Sequence, residues 1–246
     1  MLLDPESILL LLATGMALAC FYAISTGASA SFKDTYNFND IQVALMFLPI
    51  GAGGIISAFT TGKLVDWNFR RWCRKKGVVA DKRILQDIED FPIELARIEI
   101  GLPIYVVGVL AVLGYGWMLQ ASSPSHQVSL AGPVIILLLL GWALIACFQC
   151  LNALMVDIWP GKAASATAAN NLVRCGLGAG ASAAIEPMGK AMGRGWAYTV
   201  LAALSLVFGV GGLVLCTVYG QKLREGRTKR ENKAKGGKEP EKQRAS

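Results

Sequence analysis

The side chains best placed to do chemistry are polar groups set inside apolar runs. Arg174 has Asn170 one turn before it and Asn171 close by, in a stretch otherwise rich in Ala and Gly. An arginine at the centre of a bilayer costs about 2.5–3.5 kcal/mol on insertion scales, so one retained there must face a cavity or a partner. Two readings of it stand: a structural arginine tied to backbone carbonyls or to a carboxylate such as Asp66 or Asp157, or a group that meets a cargo. Tyr22, Ser25, Thr26 and Ser29 recur at i, i+3, i+4 and i+7, which places them in one polar stripe on a helix. Such a stripe suits a water-filled cavity; equally, its hydroxyls can bond back to their own helix carbonyls. Gln149 and Asn152 form a smaller i, i+3 pair open to the same two readings.

Enzymatic constellations do not present themselves. The sequence has one histidine, His126, no HExxH and no carboxylate pair inside an apolar run, so an intramembrane enzyme lacks its nucleophile and base. Cys147 and Cys150 have CxxC spacing, but there is no second such pair and no nearby His. Five of the six cysteines lie in apolar runs, where they read as small packing residues rather than metal or redox groups. The glycines from Gly176 to Gly180 follow no strand and precede no P-loop lysine, so they are not a nucleotide loop. No metal and no cofactor is expected.

The elements that must carry these residues follow from composition. Of 246 residues, 54% are hydrophobic and 17% charged, which points to lipid as the main solvent. With about 20 apolar residues per crossing, the chain has room for about six spans. Five apolar runs stand out at about 8–30, 41–64, 100–118, 134–155 and 197–218. A sixth and weaker one, at 163–185, is the one that carries Arg174. Charge segregation argues that it crosses: with it, the 65–99 loop, the 159–162 turn and the 221–246 tail share one side and hold most of the Lys and Arg. By the positive-inside rule that side, with both termini, is cytoplasmic. The net charge of +7 therefore reads as topology and not as nucleic-acid binding. The 87–97 stretch reads as a short interfacial helix, and the tail is too polar to fold. The fold class expected is an all-α integral membrane domain over 1–220, with a disordered basic tail.

Gly62, Asp66, Arg70 and Arg71 lie in order just after the second run. Together they resemble the loop motif G-x-x-x-D-R/K-x-G-R/K-R of the major facilitator superfamily, with Trp67 and Phe69 departing from its basic residue and its glycine. The stretches at 91–97, 156–160 and 169–175 look like the ninth, tenth and eleventh helices of fungal drug:proton antiporters of the quinidine-resistance type. The resemblance covers about residues 1 to 220. It implies the C-terminal six-helix half of a two-half fold, with a central cavity between the halves. It also implies proton-coupled efflux of small organic molecules such as drugs, toxins or fungal secondary metabolites, from the plasma membrane. On this reading Tyr22, Ser25, Thr26, Ser29, Gln149, Asn152, Asn170, Asn171 and Arg174 border the substrate pathway, while Gly62, Asp66, Arg70 and Arg71 work a cytoplasmic gate. A partner is required, either a first-half chain or a second copy. The alternative is a truncated half-transporter with no transport of its own, kept as a partner subunit or arising from a shortened gene model, since Met1 falls just ahead of a span.

Overall fold

The computed structural model describes residues 5–76, 93–122, 130–158 and 163–218, and every element among them is helical. In lipid a helix is the one open-ended element that satisfies its own backbone polar groups, so apolar runs of this length have little other choice. Helix α1 is Pro5–Tyr36, α2 is Asp40–Leu45, α3 is Leu48–Lys76, α4 is Ile93–Ala121, α5 is Ala131–Ile158, α6 is Ala163–Met192 and α7 is Arg194–Leu204. A π-helical segment, Ser205–Val210, follows α7, and the chain returns to α geometry over 211–218.

Punctuation is written in single residues. Helix α1 starts on Pro5, whose missing N–H costs nothing in a first turn. It ends at Asn37, in the left-handed region at φ 53°, with Asn37 N–H bonded to Lys33 O at 3.1 Å. Asn39 N–H then donates to Gln42 Oε1 at 3.0 Å to open α2. Pro49 explains why α2 and α3 are two helices where one apolar run predicts a single one: its ring excludes a carbonyl four residues back, and the helix breaks at Met46–Phe47. Helix α3 then continues to Lys76 and α4 begins at Ile93, so both ends of the expected 65–99 loop are helical. Gly193, at φ 89°, separates α6 from α7 in one residue, which an L side chain does not do without strain. Most of the predicted 87–97 interfacial helix, and all of the 221–246 tail, lie outside the described residues.

Among the described residues, five helical stretches are long and apolar enough to cross a membrane: 7–36, 40–75, 97–121, 131–158 and 194–218. Helix α6 is 30 residues long but falls short in apolarity. It nevertheless lies along α1 for most of its length, from Gly15 against Leu177 and Val173 to Gly27 beside Ile185. Successive long helices reverse direction. At one end Arg194 meets Asp34, and Tyr36 meets Ser122; at the other, Arg71 meets Glu99, and Arg97 meets Asp157. The second of these is the basic end.

Helix α5 packs against α1, α3, α4 and α6, and most of its buried positions are Leu, Ala, Gly or Cys. Cys147 and Cys150 are both buried there as free thiols. Small residues let helix backbones approach where lipid supplies no hydrophobic drive. A polar knot fastens α7: the Tyr105 hydroxyl lies 2.9 Å from Ser205 Oγ and 3.3 Å from Ala13 O, and Cys20 Sγ lies 3.4 Å from the same Oγ. The Tyr105 ring fills the space that a side chain at Gly209 would need. The π segment spans these two contacts, one residue widening the turn around an intruding ring.

Candidate functional site

Helices α5 and α6 form an antiparallel pair whose rungs are built from residues one turn apart. In the first rung Asn170 Nδ2 donates to Asn152 Oδ1 at 3.0 Å, with Asn170 only 1% exposed. In the second, the Arg174 guanidinium lies over the Phe148 ring, 5.5 Å from its centroid. Asn170 Oδ1 and Arg174 Nε are both buried without a hydrogen-bond partner. One turn further along α6, Gly178 receives the Tyr22 ring of α1: a Cβ there would stand 2.5 Å from Tyr22 Cδ2. The fold thus gathers Tyr22, Asn152, Asn170 and Arg174 from three helices along one side of α6. At about 1.5 Å per residue, Arg174 sits roughly 16 Å into a helix of roughly 45 Å.

The other sequence candidates are placed differently. Ser25 Oγ donates to Phe21 O at 2.9 Å and Thr26 Oγ1 to Tyr22 O at 3.0 Å, so both hydroxyls are bonded back to their own helix. Ser29 and Gln149 are half-buried, whereas Asn171 is exposed beside Leu172, which is 71% exposed. Of the two acids weighed as partners for Arg174, neither reaches it. Asp157 is taken by Arg97 at 2.7 Å, because both stand at the basic end while Arg174 stands about three turns into α6. Asp66 is exposed near that same end. Arg174 therefore faces no carboxylate among the described residues, and an aromatic face is what supports its charge, worth about 0.5–2 kcal/mol depending on desolvation.

Replacing Gly178 tests this geometry directly. Gly178→Val should cost about 1–3 kcal/mol of stability by overpacking, read as unfolding in detergent micelles, because Tyr22 must leave α6. Gly176→Val, where a Cβ meets nothing within 4 Å, is the control and should be near neutral.

At the basic end the segment from Gly62 to Arg71 lies wholly on α3. Gly62 has open space where a Cβ would stand, and Asp66 and Arg70 are exposed. Arg71 Nη1 lies 3.6 Å from Glu99 Oε1 and the guanidinium 5.9 Å from the Trp67 ring. Glu99 Oε2 accepts from Asn68 Nδ2 at 3.0 Å and from Trp72 Nε1 at 2.8 Å. Sequence reading missed Glu99; the available signal was an acid at the head of an apolar run following a basic helix end.

The opposite end holds a second charged group also missed from sequence. Arg194 donates to Asp34 Oδ2 at 2.8 Å and to Thr35 Oγ1 at 2.7 Å. Lys190 binds Glu186 one turn away at 2.8 Å and draws its carboxyl below the usual range. Asp34, Glu186, Lys190, Arg194 and Tyr198 border a cavity of about 220 Å³. Here the sequence signal was hidden by distance, since Asp34 and Arg194 are 160 residues apart.

Reversing apolar helices, paired charges at both ends and polar side chains gathered between them define a multi-pass helical membrane protein. No protein-family model matches the chain. It is 45% identical over 95% of its length to the MFS-type transporter phiD of Fungal sp., where the match takes in 35% of that protein. It is 43% identical over 89% of its length to the MFS-type transporter tstD of Talaromyces stipitatus, 39% of that protein. It is 32% identical over 75% of its length to Citrate exporter 1 of Aspergillus niger, again 35% of that protein. The chain belongs to the major facilitator superfamily and spans well under half the length of these curated relatives.

Proposed function

We propose that this chain is the C-terminal six-helix half of a proton-coupled permease that exports small organic molecules, including fungal secondary metabolites, from the plasma membrane. The observation that carries this reading is the polar side of α6, where Asn170 and Arg174 stand on a helix too small-residued and polar to face lipid. It supports α6 as a sixth crossing bordering a cavity and not a lipid-facing span. Alternation of the helix ends supports both termini on the basic side, which the positive-inside rule makes cytoplasmic. The Asn68, Arg71, Trp72 and Glu99 cluster, with exposed Asp66 and Arg70 beside it, would hold the cytoplasmic gate against a helix of the other half. A relative named for citrate export widens the cargo range toward organic acids.

The cavity of such a permease lies between two halves, so a first-half chain or a second copy completes it. The test is export from inverted vesicles in which this chain is co-expressed with the first-half segment of the Fungal sp. relative. Export that follows an imposed pH gradient, and that vanishes when either half is omitted, is the expected result. No gradient-dependent export of any metabolite offered would leave the chain a non-transporting partner subunit.

A further inference from the structure

Among the described residues, Arg174 is a cation with no carboxylate beside it. Its guanidinium lies over the Phe148 ring, its Nε is buried without a partner, and neither Asp157 nor Asp66 reaches it. A cation carried this far into a helix bundle is costly, and proteins commonly offset that cost with a carboxylate. This bundle has such pairs, Arg97 with Asp157 and Arg194 with Asp34, but at its two ends. The Phe148 ring lies 5.5 Å from the guanidinium carbon and is not a carboxylate, so the charge is left for an anion that a planar guanidinium can receive through two parallel hydrogen bonds.

A second group sits one turn away. Asn170 is held by Asn152, so its position is fixed, and its Oδ1 remains an acceptor without a donor. Buried acceptors in that condition cost about 1–3 kcal/mol until a donor arrives. A cation with free donors and an acceptor about one helical turn apart match a small molecule that carries a carboxylate and, some 5–6 Å along, a hydroxyl or amide N–H. Exposed Asn171 and Cys175 flank Arg174 on α6, so its side is reachable from outside the buried core.

We infer that the cargo of this chain is an organic acid, with Arg174 as its counter-charge and Asn170 as the acceptor that selects a hydroxyl-bearing one. The inference rests on the transport reading for the word cargo, but the binding site stands without it.

The experiment uses the purified full chain in detergent, with citrate as the hydroxy acid, tricarballylate as its analogue lacking the hydroxyl, and trimethyl citrate as the uncharged ester. Intrinsic tryptophan fluorescence reads binding. Saturable binding of citrate is expected, at least about tenfold tighter than the ester, and Arg174→Gln should remove that preference while Arg174→Lys restores part of it. A tenfold loss corresponds to about 1.4 kcal/mol. Asn170→Ala should bring citrate down to the level of tricarballylate without changing the preference for acid over ester. Circular dichroism of each variant verifies that the helices are intact. The inference is overturned if the ester binds as well as the acid, if Arg174→Gln binds citrate unchanged, or if nothing binds. Acid binding without gradient-dependent export in vesicles would overturn the transport reading and leave the anion site standing.

Discussion

Gly141→Val is expected to abolish the folded protein. Gly141 of α5 and Gly53 of α3 face each other where those two helices cross. A Cβ at Gly141 would stand 2.9 Å from both C and Cα of Ile50, and one at Gly53 would stand 2.7 Å from Trp142 N. These neighbours are backbone atoms, which cannot rotate aside as a side chain does. Overpacking of a side-chain interior costs about 1–3 kcal/mol; against backbone the helices themselves must separate, so about 3 kcal/mol or more is expected. Separation would also stretch the bond from Trp142 Nε1 to Thr60 Oγ1, now 2.9 Å. Size-exclusion chromatography of fluorescently tagged variants would show Gly141→Val aggregated, Gly54→Val reduced and Gly51→Val close to the parent. The ordering follows from what each Cβ meets: backbone, the flexible Ile145 Cδ1, and nothing within 4 Å. Equal behaviour of the three variants would refute a backbone-to-backbone crossing.

The second large effect concerns the basic end. Arg97 and Asp157 tie the start of α4 to the end of α5 at 2.7 Å, with side chains 13% and 31% exposed. Asp157→Leu alone removes the acid and strands a mostly buried guanidinium whose Nε already has no partner. Breaking a buried pair in this way costs about 3–5 kcal/mol; the partial exposure of Asp157 brings the expectation to about 2 kcal/mol. Removing both charges tells stability from ion pairing. The Arg97→Met, Asp157→Leu double variant should melt close to the parent in detergent, since two apolar side chains need no water and no partner. A double variant as damaged as the single one would mean that the pair is not the coupling element. Transport by the double variant reads a different property: if the pair is part of the gate, export falls while the melting temperature does not.

Much of the architecture was legible one residue at a time. Apolar run lengths predict where long helices form, though not the break before Pro49, because no other open-ended element closes its backbone hydrogen bonds in lipid. The basic clusters predict which ends lie together, because charges are sorted by side during insertion. Arg174 and Asn170 were readable as a pair from their spacing, since one turn of helix is a local rule. Charge sorting predicts the 163–185 run as a crossing, and the structure has a 30-residue helix there that falls short in apolarity.

What lay beyond the sequence was every choice among partners. Asp157 was an equally good mate for Arg174 or for Arg97 until the fold put it at the basic end, and Asp34 and Arg194 were brought together across 160 residues. The Ser25 and Thr26 hydroxyls had two destinations, and packing left them the nearer one. Sequence by itself determined that this is a bundle of membrane-length helices with a cation set deep in one of them, because those properties depend on run length and local period. Only the tertiary structure decided that this cation stands over Phe148 with no acid beside it among the described residues, because which helices touch, and at which turn, is fixed by long-range packing of small residues that local rules do not order.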